Sequence, residues 1–162
     1  MRNIRNMFVP AKVAREKLRI PASQRWSWER LEPFLPCIAI TRATRTERLY
    51  PISYINELAA ALQGREAREA TPETVRAFNS TTNGRSLLAS LPGLLNEVFD
   101  IYPSLSTSDM TTLFGIALRT LFYWNKQGIV TPEHVDSSSR GGNHDLAYPT
   151  GSLRAIVRWV LP

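Results

Sequence analysis

The groups that could do chemistry in this chain are cationic and hydrogen-bonding rather than nucleophilic. Arg42, Arg45 and Arg48 crowd one short stretch in which Glu47 is the only acid. Arg140, Asn143 and His144 gather in a Ser/Gly/Asn-rich stretch further on. Side chains of this kind suit contacts with phosphate oxygens or insertion into a narrow minor groove. Covalent or metal chemistry is not indicated. The two histidines, His134 and His144, share one loop, and the single cysteine, Cys37, lies between Pro36 and Ile38 as a small hydrophobe would. One cysteine cannot complete a zinc set, and neither a Gly-rich phosphate loop nor a nucleophile elbow occurs. The expectation is a protein that is not an enzyme, with no catalytic residues, metal or cofactor.

The elements that must position these groups come as a pattern written twice. Ile20, Trp28, Pro36 and Tyr50-Pro51, followed by Ile55, Leu58 and Leu62, match Ile116, Trp124, Pro132 and Tyr148-Pro149, followed by Leu153, Ile156 and Val160. Ile20 and Ile116 are 96 residues apart and Tyr50 and Tyr148 are 98 apart, so the second copy holds one two-residue insertion. The expected organisation is residues 1–64, a connector at 65–104, and 105–162.

Charge follows the same division. The chain carries +6 with a pI near 10. Residues 1–64 hold eleven Lys/Arg against five Asp/Glu, 65–104 four against five, and 105–162 five against four. The basic excess therefore sits in the first copy, where a polyanion would be neutralised. A lone cysteine, no apolar run long enough to span a membrane, and no apolar core behind the first arginines lead to the expectation of a cytoplasmic, nucleoid-associated location.

Helices are expected over 10–19 and 23–31, a basic-tipped ribbon over 37–50, and a helix over 52–63 closed by Gly64. Leu87, Leu88, Leu91, Leu94, Leu95, Val98 and Phe99 recur at helical spacing around Pro92-Gly93, giving a kinked helix or two short ones. That stripe is read as core joining the two copies, or else as a weak homodimer interface over 85–102. In the second copy a helix capped at Ser106 or Thr107 is followed by a turn at Gly115. A helix over 118–127, a hairpin tip within 129–147 and a last helix over 150–161 complete it.

Gly115-Ile116, Arg119-Thr120-Leu121, Tyr123-Trp124, Gly128-Ile129-Val130, Pro132 and Tyr148 together make residues 105–161 resemble the winged helix-turn-helix of the MerR family. Residues 8–63 keep the Ile, Trp, Pro and Tyr-Pro positions but lack both glycines and the Arg-Thr-Leu triplet. The departures are Phe122, where the family usually has Arg, and the lack of the long coiled-coil helix and ligand domain within this sequence. The resemblance implies a mainly α fold with small β-wings: tandem winged helix-turn-helix domains joined by a helical connector. It implies a bacterial or phage transcriptional regulator that binds double-stranded DNA with two reading heads on one chain. The alternatives are an excisionase-like architectural protein that bends DNA, or an adaptor in which one head docks on RNA polymerase or another regulator.

On that reading Arg119 and Thr120 reach base edges, Arg119 by a bidentate pair with guanine or by gripping a phosphate, and Tyr123 binds phosphate. Ser23, Gln24 and Arg25 are the counterparts in the first copy, with Gln24 suited to adenine. Arg42, Arg45 and Arg48 on one wing, and Arg140, Asn143 and His144 on the other, grip the backbone. Tyr50 and Tyr148 open the following helices and either face phosphate or pack with a capping hydroxyl.

Overall fold

A computed structural model describes residues 4–21, 23–42, 45–135 and 145–162. The first half runs through strand β1 (Phe8–Pro10), helix α1 (Ala11–Lys17), helix α2 (Arg25–Leu31) with a 3-10 turn at Glu32–Phe34, and the hairpin of β2 (Cys37–Arg42) and β3 (Arg45–Pro51). It closes with helix α3 (Ile52–Leu62). Three helices follow: α4 (Pro72–Ser80), α5 (Thr82–Ser90) and α6 (Leu94–Phe99), the last two separated by a 3-10 turn at Leu91–Gly93 where Pro92 stops the regular ladder. The second half repeats the order of the first in β4 (Ser104–Ser106), α7 (Thr107–Phe114), α8 (Leu118–Lys126), β5 (Glu133–Val135), β6 (Asp145–Pro149) and α9 (Thr150–Ile156). It then adds strand β7 (Val157–Val160).

The strands form two antiparallel sheets, ordered β1-β3-β2-β7 and β4-β6-β5. With about 54% helix and 20% strand among the described residues, this is an α/β mixture. This corrects the expected mainly α architecture of two tandem domains bridged by a helical connector. The physical reason lies at the end of the chain. Leu153, Ile156, Val157 and Val160 fit one face of a helix, yet the helix stops at Ile156 and the β-favouring run Val157–Val160 pairs with β2. Without it β2 would be an unpaired edge strand. Ile38 pairs with Trp159 and Ile40 with Val157, so the two halves share one sheet.

Strand periodicity then divides the core. Ile38, Ile40 and Leu49 face the second half, in a cluster with Phe114, Leu121 and Trp124. Cys37 and Tyr50 face the opposite way, toward Trp28, Tyr54 and Leu58. Phe8 is fully buried against the second half, its ring 6.0 Å from Phe114 and 5.8 Å from Trp159. The central helices serve both cores: Val75 and Phe78 enter the first, Leu95, Val98 and Phe99 the second. Of the leucine stripe, Leu91, Leu95, Val98 and Phe99 are buried, and Leu87, Leu88 and Leu94 pack half-buried against the two cores. Among the described residues no helix is long and apolar enough to cross a membrane.

Candidate nucleic-acid interface

The second half presents one helix, α8, on a well-fixed mount. At the start of α7 the Ser106 hydroxyl accepts the Asp109 N–H at 3.0 Å, and the Asp109 carboxylate accepts the Ser106 N–H at 3.1 Å. This capping box satisfies two otherwise unpaired donors. The helix ends at Gly115, whose φ of +64° is left-handed, and a Cβ there would stand 2.2 Å from the Phe8 carbonyl oxygen. Glycine is therefore required both by the turn and by the passage of β1 across it. Leu121 and Trp124 anchor α8 in the core. Its other face carries Leu118, Phe122 and Tyr123, all between 41% and 50% exposed, with Arg119 and Lys126 also in solvent and Thr120 half-buried.

The hairpin of the first half reaches this helix. Arg42 and Arg45 are register partners beside the hairpin tip, hence on one face of the sheet. Arg45 Nη1 donates to the Tyr123 hydroxyl at 2.9 Å, and Arg42 Nη1 donates to the Thr131 hydroxyl. Because the Tyr123 oxygen accepts from a guanidinium, its own proton remains free to donate to an anion. Two arginines assigned to one head and a tyrosine assigned to the other thus form a single surface. Glu47, on the same strand face as Arg45, is half-buried, and burial lifts its carboxyl above the ordinary range despite the opposing pull of Arg45.

Other expected site residues lie elsewhere. Arg48 is three positions from Arg45 and so points to the opposite face, where it and Arg158 flank Ala39 on neighbouring strands. Tyr50 and Tyr148 are each 1% exposed, so of the two expected roles phosphate contact is excluded and the packed ring is what the structure holds. They end strands β3 and β6, and their rings are drawn into the two cores. The Tyr50 hydroxyl donates to Glu32 at 3.1 Å, beside the Trp28 indole N–H, which donates to the same oxygen at 2.8 Å. Burial, with Glu32 adding to it, holds the Tyr50 phenol far above its usual pKa. Tyr148 is hydrogen-bonded to Asn125, whose amide nitrogen donates at 2.8 Å. Both tyrosines fix the second helix of their half to its hairpin.

Ser23, Gln24 and Arg25 are exposed at the start of α2, apart from the α8 surface. Arg25 pairs with Glu29 one turn on at 3.2 Å, an exposed link of little energetic weight. Arg140, Asn143 and His144 lie outside the described residues. Sequence reasoning missed the exposure of Phe122 and the contact of Thr131 with Arg42. Helical spacing from Leu121 and Trp124 marks Phe122 as outward-facing.

Compared with protein-family models, curated proteins and solved structures, the chain gives no significant match.

Proposed function

We propose that this protein binds double-stranded DNA sequence-specifically and controls transcription, using α8 and the β2–β3 hairpin as one composite surface. In this reading residues 105–161 are a MerR-like DNA-binding unit. Helix α8 enters the major groove, Arg119 and Thr120 meet base edges, and Tyr123 with Arg45 and Arg42 grips the flanking backbone. The observation that carries the proposal is the 2.9 Å hydrogen bond from Arg45 to Tyr123, which sets a basic hairpin beside an exposed helix face. Ser23, Gln24 and Arg25 form a second head only if the DNA bends toward α2, which is the excisionase-like variant of the same reading.

Titration of duplex DNA at several salt concentrations tests it. Arg45→Ala should weaken binding to all sequences and make the slope of log K against log salt shallower by about one. Binding that ignores both salt and Arg45 would refute it. One observation favours a second reading: Leu118 and Phe122 form an apolar i,i+4 pair on the exposed face of α8. In an adaptor that pair would dock on a protein partner such as RNA polymerase, and DNA affinity would be indifferent to Arg119→Ala.

A further inference from the structure

The first half carries a second feature that the α8 surface does not use. Helix α1 closes by a Schellman arrangement, in which the Arg19 N–H donates to the Glu16 carbonyl at 3.1 Å and the Ile20 N–H to Arg15 at 2.9 Å. Arg19 therefore sits at φ +57°, the only non-glycine residue with positive φ among those described. The matching position of the second half is Gly115, and the same closure after α8 uses Gly128. Glycine would do this job in α1 without strain. An arginine at such a position is a reason to look for a task its side chain performs.

Arg19 lines a half-open groove of about 560 Å³, between the α1–α2 turn, α2 and residues 63–72. Trp26, Arg30, Arg68, Gln24 and Gln63 line it too. Trp26 is 61% exposed, whereas Trp28 and Trp124 are buried, and the Arg30 guanidinium stands 5.7 Å above its ring. The groove is of ligand size. It offers a flat aromatic surface, two side-chain amides able to both donate and accept, and three guanidinium groups against one acid, Glu69.

We infer that this groove binds a nucleotide: a planar base stacks on Trp26 beside Arg30, the glutamine amides meet the base edge, and Arg19 with Arg68 takes the phosphate. Stacking on an exposed indole tolerates any base, and guanidinium forks match phosphate oxygens. The nucleotide can be free or an unpaired residue of a strand, since both present the same chemistry. The inference does not depend on the α8 surface.

Calorimetry and tryptophan fluorescence of the whole protein with thymidine 5′-monophosphate, a short oligothymidylate and inorganic phosphate test it. Wild type should bind at least one thymidine probe saturably, with quenching that phosphate alone does not produce. Equal affinity for the two probes would assign a free nucleotide, and binding of the oligomer alone an unpaired residue in a strand. Trp26→Ala should weaken binding about tenfold or more. Arg19→Gly should raise Tm by about 2–4 °C while weakening binding about fivefold or more, so loss of affinity cannot be ascribed to misfolding. Arg68→Ala supplies a second, unstrained variant with the same expected loss. Absence of saturable binding by wild type, or binding unchanged in Trp26→Ala and Arg19→Gly, would overturn the inference.

Discussion

Replacing Gly115 by alanine combines two separable penalties, and the protein contains the controls that separate them. Placing a Cβ on a left-handed residue costs roughly 1 kcal/mol. At Gly128 that is the whole penalty, because its φ is +71° and nothing lies within 4 Å of the added carbon. At Gly115 the carbon would also stand 2.2 Å from the Phe8 carbonyl oxygen, a backbone atom that cannot rotate away. Phe8 is held by pairing with Pro51 in the sheet and by its ring against Phe114, so β1 must shift as a unit. Overpacking of this sort adds about 1–3 kcal/mol. Gly115→Ala should therefore destabilise by about 2–4 kcal/mol, and Gly128→Ala by about 1 kcal/mol. Arg19→Gly should stabilise by about 1 kcal/mol, and Arg19→Ala should change little because the strain is retained. Urea unfolding followed by circular dichroism gives all four midpoints. Equal losses in Gly115→Ala and Gly128→Ala would refute the claim that β1 crosses the α7–α8 turn at contact distance.

Three further outcomes follow from the packing. Trp159→Ala removes a half-buried ring from both β7 and Phe8 and should cost about 1–3 kcal/mol; the protein should still unfold in one transition because the halves share a sheet, and two resolved transitions would contradict this. Burial raises the pKa of Glu47 in the folded protein, so its ionised form opposes folding above the ordinary carboxylate range and not below it. Glu47→Gln should accordingly raise the urea midpoint at neutral pH, with the gain vanishing in acid; a gain that persists in acid would exclude the charge as its origin. The Cys37 thiol, 2% exposed and pushed up chiefly by burial, should react with a thiol reagent only as fast as the protein opens, so alkylation at the rate of a free thiol would contradict its placement.

The features legible in the sequence were those fixed by local chemistry. Gly115 and Gly128 mark left-handed closures because few other residues tolerate them, and Trp28 and Trp124 lie inward at matched positions. The alternation over 37–50 is present as β2 and β3. What escaped was set by distant partners. The run at 157–160 is ambiguous between helix and strand until the open edge of β2 decides it. Likewise Arg42, Arg45 and Arg48 look equivalent in sequence, but alternation sends Arg48 to the other face while Arg45 finds Tyr123 on α8. For Tyr50 and Tyr148 the sequence leaves phosphate contact and inward packing both open; Glu32 and Asn125, which hold them inside, are known only once the helices are in place. Arg19 carried a usable signal, an arginine standing where the second copy has glycine.

The central claim is that α8 reads DNA with the hairpin arginines beside it. The most direct measurement is selection of bound duplexes from a random pool by wild type, Arg119→Ala and Arg45→Ala. Wild type should enrich a defined motif, Arg119→Ala should lose preference at one position by about 1–3 kcal/mol, and Arg45→Ala should keep the motif with weaker, less salt-dependent binding. A pool without enrichment, or a motif and affinity that Arg119→Ala leaves intact, would contradict it.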